Sequence, residues 1–474
     1  MESIGKKGSL KLTTYKLFIL SAYAILSTIT ILLGLYNLFF AVVMLSTFIL
    51  GAILIFFLLG KFTTAHYLMV LFPSIILSPI IRIPGFPIAI RLDDLWMAFG
   101  AILLVIYLFK RKNLDIYFPR YARVFLLFIV WIAFTIFLST YREPYFYSVR
   151  DWTEVYKNVK LLIYLLIAIN ISLNMKDLRK IVSVAIGSLL VTALFGMMQY
   201  FNFLNINSWL TPYYILDSNV RALELNGRVV GTFGNPNMFG FAILIGIALS
   251  LSELFKSFKI RHAISLFIFF IALTMTQSRT ALVTGVVLLA LISLMILWKT
   301  NKKVKTLALF SFIPLIGIVA LRYAPHQFFS RIGRLSDVSS DSSLNARFRM
   351  WEDIYVTRTE GNELFGTGPT SLVRIMFDNE WLMLLTYYGI IGVALFIVMF
   401  ALMYNKLSKV NSNNLNFYNI AARGLILVYA ICMWMSDVFT LLQIMPIVML
   451  VIGLSLNKSV NTKTEKDTHL EQIG

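Results

Sequence analysis

Apolar runs of about 15–23 residues recur from one end of this 474-residue chain to the other. A run of that length fits the hydrocarbon core of a bilayer, and only as a helix, because backbone N–H and C=O groups find no water there. Fourteen runs are readable: 16–33, 38–59, 66–81, 93–109, 122–139, 159–173, 181–200, 237–253, 263–277, 279–298, 306–322, 382–404, 418–436 and 438–456. The fold class is therefore an all-α polytopic membrane protein with about 14 transmembrane helices (12–14), the runs at 66–81, 159–173 and 263–277 being short ones. No stretch reads as a soluble domain, so residues 1–474 form a single integral membrane domain. With 59% hydrophobic and 14% charged residues, a soluble globular class is excluded. The first run can direct insertion itself, so no cleavable signal is needed.

The net charge of +19 is not a nucleic-acid signal. With both termini on the cytoplasmic side, the inner segments hold 26 of the 42 Lys+Arg against 7 acidic residues. The outer segments hold the other 16 against 16 acidic residues. The whole excess then lies inside, as the positive-inside rule requires. Cys432 is the one cysteine and falls in a run, so no disulfide framework or thiolate site is expected. His66, His262, His326 and His469 show no ligand spacing, so no metal is expected.

On this topology residues 322–380 form one long outer loop, the only long polar stretch, with seven arginines and eight carboxylates. Of the 16 outer basic residues, fourteen are arginine and only Lys157 and Lys160 are lysine. Arginine suits bidentate contact with phosphate or carboxylate, so the bias leans toward anion binding. Within the loop, 344–355 reads as an amphipathic helix with a Leu344, Phe348, Trp351, Tyr355 stripe. Arg347 flanks that stripe and either binds an anion or makes a cation–π contact with Trp351. Arg349 points away and can pair with Asp353.

Three further places carry chemistry. Arg279, in Thr276-Gln277-Ser278-Arg279-Thr280-Ala281, sits between two apolar runs; a charge at that depth faces a cavity or a ligand, or snorkels to the headgroups. Asn235-Pro236 reads as a capped helix start, led in by Gly231, Gly234 and Arg228. The helix N-terminus could receive an anion, and the glycines could let backbone approach it. Asp378 and Glu380 stand at the mouth of the run at 382–404, either as a general base or as an N-cap with a first-turn acid. Asp93-Asp94 reads as a partner for Arg82 or Arg91.

Taken together these segments resemble the O-antigen ligase/polymerase superfamily of bacterial envelope proteins, Wzy-like polymerases included. The resemblance rests on Gly231-Thr232-Phe233-Gly234-Asn235-Pro236-Asn237 opening a run, Ser278-Arg279-Thr280-Ala281, Arg347…Trp351 before Phe365-Gly366-Thr367-Gly368-Pro369, and Asp378-Asn379…Leu382 with Gly389-Ile390-Ile391-Gly392. Order and spacing match across 228–395, about a third of the chain; Arg91-Leu92-Asp93-Asp94 is similar to an early motif of the polymerase branch. The resemblance implies a bacterial cytoplasmic-membrane enzyme whose active site faces outward. It would transfer glycan from a polyprenyl-diphosphate carrier, with no metal, cofactor or nucleotide sugar. The implied partners are a polyprenyl-diphosphate-linked oligosaccharide donor and acceptor, membrane lipid, a chain-length regulator and a flippase, with no nucleic acid. Arg228 and Arg279 match the family arginines that hold the donor diphosphate, with Arg347 and Asn235 beside them. The ligase branch carries a histidine where this chain has Asp378, a departure that favours polymerase. Asp378, with Glu380 as the other choice, is then the general base. The alternatives are a ligase acting on lipid A core or protein, and a flippase or transporter.

Overall fold

The computed structural model describes residues 64–79, 93–94, 96–98, 100, 116–142, 147–215, 219–257, 259–299, 342–370, 377–410, 417–439 and 443–457. These residues are helical throughout, joined by turns. The main elements are α1 (Thr64–Leu77), α2 (Arg120–Arg142), α3 (Thr153–Asn170), α4 (Met175–Tyr200), α5 (Pro236–Ser257), α6 (Ile260–Thr276), α7 (Arg279–Lys299), α8 (Ser342–Ile354), α9 (Glu380–Lys409), α10 (Phe417–Cys432) and α11 (Met445–Ser455). Among them α2, α4, α5, α7 and α9 are long and apolar enough to cross a membrane, and α1, α6, α10 and α11 are shorter apolar helices. The runs expected at 16–33, 38–59 and 306–322, and most of 93–109, lie outside the described residues. So does much of the 322–380 loop.

Four helices depart from what their apolar runs suggest. The run at 159–173 is the second part of α3, which begins six residues earlier with a polar turn containing Glu154 and Lys157. The runs at 418–436 and 438–456 shrink to α10 and α11, and the described residues 433–439 and 443–444 lie outside both helices. The third difference is inside α9. Gly389 has φ 64° and ψ −175°, so the helix breaks and restarts there.

That break is where the loop attaches. Thr367 N–H donates to the Thr386 carbonyl (2.8 Å) and Gly368 N–H to the Tyr387 carbonyl (2.9 Å). In return Ile390 N–H donates to the Glu363 carbonyl (2.7 Å). The turn Glu363–Gly368 thus supplies the partners that a continuous helix would have supplied itself. The hydroxyls of Ser139 on α2 and Tyr147 also donate to the Thr367 carbonyl, and Thr359 pairs with Thr386 at 2.7 Å.

α5 is the central helix, packed against α4, α6, α7 and α10. Gly240 on α5 lies so close to Ala281 on α7 that a Cβ there would meet the alanine methyl at 2.6 Å. The two helices therefore cross near their N-terminal ends. Because the chain alternates direction, the starts of α5, α7 and α9 and the end of α10 share one end of the bundle with α8. The opposite end holds Lys176, Arg179, Lys180, Lys256, Lys259, Arg261, Lys406 and Lys409. It also holds a buried carboxylate, Glu253, bonded by the Tyr418 hydroxyl and 4.0 Å from Lys256.

Asp93 and Asp94 are placed by Lys160. Its wholly buried ammonium lies 2.6 Å from Asp93 and 2.5 Å from Asp94, and Tyr156 adds a hydrogen bond to Asp94 at 2.8 Å. The partner visible for the acid pair is thus a lysine of α3, while Arg82 and Arg91 lie outside the described residues. A buried lysine shared by two carboxylates satisfies more of its donors than a single pair would.

Candidate active site at the loop end of the bundle

Arg228 is held in a short extended lead-in to α5. Val229 N–H donates to the Met275 carbonyl (3.3 Å), and Gln277 Nε2 donates to the Asn226 carbonyl (2.9 Å), so the lead-in runs beside the end of α6. Arg228 Nε donates to the Thr276 carbonyl (3.2 Å) and Nη2 to Asn237 Oδ1 (3.1 Å). Gln199 on α4 fixes the next residues by accepting from Val230 N–H (3.2 Å) and Gly231 N–H (2.9 Å).

Arg279 is the first residue of α7, three positions beyond the carbonyl that Arg228 grips. Gln277, in the left-handed conformation, ends α6, and Ser278 Oγ accepts from Ala281 N–H (3.3 Å) to start α7. The Gly240–Ala281 crossing therefore brings Arg228 and Arg279 to one corner. Both are partly exposed. An arginine in a first helical turn opposes the helix dipole, an arrangement disfavoured by roughly 0.3–1 kcal/mol unless an anion joins it.

Asn235 does cap α5: its Oδ1 accepts from Asn237 N–H (2.8 Å), with Pro236 opening the helix. Gly231, before it, serves packing. Gly231 has φ +53°, and a Cβ there would meet the Phe239 ring at 2.5 Å. Residues 231–234 are buried. An anion at this corner would meet the Arg228 and Arg279 side chains, not the glycine backbone.

The second cluster forms where α8 reaches the mouth of α9. Arg347 Nε lies 3.3 Å from Asp378 Oδ2, and Trp351 Nε1 donates to the Phe377 carbonyl (2.7 Å). Trp351 therefore anchors α8 while Arg347, one turn earlier, takes the carboxylate instead of the tryptophan ring. The aromatic stripe is not the buried face: Phe348 and Tyr355 are exposed, whereas Ile354 is buried. Arg349 and Asp353 are both exposed and form no ion pair with each other.

Capping of α9 belongs to Asn379, whose Oδ1 accepts from Leu382 N–H (3.1 Å). Asp378, just before it, has φ 47°, a conformation that aspartate tolerates, and its side chain is 49% exposed. The capping alternative for Asp378 is thereby set aside. Glu380 is wholly buried, and its Oε2 accepts from Val438 N–H (2.6 Å) and Phe439 N–H (2.5 Å), while its own N–H donates to the Met433 carbonyl (2.7 Å). It ties the non-helical stretch after α10 to the start of α9. Glu380→Ala orphans two buried N–H groups, at about 1–3 kcal/mol each. The expected result is a Tm in detergent well below wild type, with Glu380→Gln, which keeps an acceptor oxygen, close to it.

That stretch carries a residue that sequence reading missed. Asp437 lies between α10 and α11, and its Oδ1 is buried without a hydrogen-bond partner among the described residues. Burial, then the negative charge of Asp378, pushes its carboxyl up to about 6, against the opposing charges of Arg347 and Lys157. Reading 418–436 and 438–456 as spans made Asp437 a bare boundary.

Next to it, Met433, Val438, Phe439, Trp381, Phe400 and Tyr404 line part of an apolar groove of about 350 Å³ between α9 and α10. No curated protein matches the chain. Residues 264–397, running from α6 through the break in α9, match a family model described as O-Antigen ligase. They include Arg279, Arg347, Asp378 and Glu380, while Arg228, Asn235 and Asp437 lie outside. Over those residues the chain is similar to the O-antigen ligase/polymerase superfamily.

Proposed function

We propose that this protein is a surface-polysaccharide polymerase of the O-antigen type. It joins polyprenyl-diphosphate-linked oligosaccharide units by direct displacement with inversion, at the outer face of the bacterial cytoplasmic membrane. The observation that carries the reading is the arginine corner, Arg228 with Arg279, at the same end of the bundle as the Arg347–Asp378–Asp437 cluster. A donor diphosphate at the corner would reverse the unfavourable charge of an arginine at a helix start, and more strongly as charge builds on the leaving group. The acceptor hydroxyl would give its proton to a carboxylate of the second cluster. An apolar groove beginning at Val438 suits a prenyl chain. No ATP is needed, because the lipid diphosphate brings its own leaving group.

A second reading, a ligase joining glycan to another acceptor, is favoured by the description of the matching family model. Asp378 in place of the ligase histidine favours polymerase. One incubation separates the readings: purified protein with lipid-diphosphate-linked oligosaccharide alone. Elongation with release of carrier diphosphate marks a polymerase. Reaction only after a second acceptor is added marks a ligase. Lipid scrambling without chemistry marks a transporter.

The orientation has its own test. With Cys432 replaced, an impermeant thiol reagent applied to intact cells should label Glu352→Cys on α8 and leave Asn405→Cys on α9 unlabelled. The reverse pattern would place the arginine corner on the cytoplasmic side and end the proposal.

A further inference from the structure

Resting on the glycan-transfer reading, we infer that Asp437 takes the proton from the acceptor hydroxyl, and that the Asp378–Arg347 pair beside it positions the site and sets its charge rather than acting as the base. Three carboxylates meet at this mouth, and two are occupied. Glu380 is wholly buried and spends Oε2 on two backbone N–H groups. Asp378 is already engaged in an ion pair with Arg347, Nε to Oδ2 at 3.3 Å. Among the described residues, Asp437 keeps a buried oxygen with no donor. A buried acceptor without a donor is costly, and an incoming hydroxyl supplies one.

The surroundings suit the task. The groups that act on Asp437 are Asp378, Arg347 from α8, Lys157 from α3 and Tyr387 from α9. Lys157 is itself paired with Glu154 at 2.6 Å and Arg347 with Asp378, so neither cation is committed to Asp437. Burial and the charge of Asp378 keep the Asp437 carboxyl basic. The step balances simply. The acceptor O–H proton passes to Asp437 as the acceptor oxygen bonds to the anomeric carbon of the donor. The bond from that carbon to the diphosphate oxygen breaks, and its electron pair leaves with the lipid diphosphate.

The test is elongation of lipid-diphosphate-linked oligosaccharide by purified full-length protein across pH 4.5 to 8, a window centred on the carboxyl at about 6, with donor binding measured separately. The wild-type rate should rise with pH through about 6, because Asp437 accepts a proton only when ionised. Asp437→Asn should cut turnover by about a hundredfold or more while donor binding persists. Asp378→Asn should keep turnover within about tenfold and move the acid limb to lower pH, since the negative neighbour is gone. Asp437→Glu, which restores a carboxylate, should recover part of the turnover with a displaced acid limb. If Asp437→Asn does not fold, that limb and its displacement in Asp378→Asn carry the decision. Normal elongation by Asp437→Asn, or an inactive Asp378→Asn beside an active Asp437→Asn, would overturn the assignment. A wild-type protein that transfers no glycan refutes the functional reading itself, whereas an active wild type with an active Asp437→Asn refutes only the choice of base.

Discussion

Alanine at Arg279 is expected to lower elongation by about a hundredfold or more, the scale set by removing one preorganised donor to a developing negative charge. Expression and membrane insertion stay normal, because the side chain is partly exposed at a helix start and its removal relieves an unfavourable dipole contact. Arg279→Lys recovers little, since a single ammonium cannot reproduce two parallel guanidinium contacts. Arg228→Ala should show a comparable loss with an added structural component, because Arg228 also bridges the end of α6 to Asn237 on α5. Single-turnover rates and carrier binding, measured on the same membranes, separate the two. Full activity of both alanine variants would rule out the arginine corner as the diphosphate site.

Gly389→Ala is expected to destabilise the protein by about 3 kcal/mol or more, and Gly366→Ala similarly. Each has positive φ, at 64° and 77°, and each faces the other's backbone. A Cβ on Gly389 would lie 2.3 Å from the Leu364 carbonyl oxygen, and one on Gly366 would lie 2.4 Å from that of Tyr387. Both obstacles are main chain, which cannot swing aside. Gly361 is the control: φ is +81°, but nothing lies within 4 Å of the added carbon. Gly361→Ala should cost only the conformational strain, about 1 kcal/mol. Thermal unfolding in detergent, with protease cleavage in the 360–370 turn as a second probe, ranks the three. Equal losses at all three glycines would show that the docked turn contributes nothing.

What the sequence discloses here depends on how local the cause is. The start of α5 was legible because Asn235 and Pro236 set it by their own side chains, a cap and a fixed φ. Arg279 at the head of α7 was legible because a charge between apolar runs stands out whatever surrounds it. The break at Gly389 was not, because Gly-Ile-Ile-Gly inside an apolar run reads as ordinary helix, and the φ value is imposed by a turn more than twenty residues away. Asp437 was hidden for the same reason. The end of α10 at Cys432 depends on Glu380, which binds the backbone of Val438 and Phe439 from another helix. The packing of Gly231 against Phe239 was not legible, because ring packing and close approach to a ligand ask for the same residue. Arg347 was found, but its partner Asp378 is thirty-one positions away and no helical spacing could supply it.

The interrupted helix α9 has a consequence for how the protein is made. A segment entering the bilayer alone must satisfy its own backbone, and this one cannot: the Thr386 and Tyr387 carbonyls and the Ile390 N–H take partners from the turn that precedes them in the chain. The turn leaves the ribosome first and must wait for the helix, and the helix is incomplete until the turn arrives. Docking of the turn and maturation of α9 are therefore one assembly event. Trimming the loop would not leave an intact membrane scaffold lacking a cap; it would leave a helix with open hydrogen bonds, the kind of lesion that membrane quality control recognises.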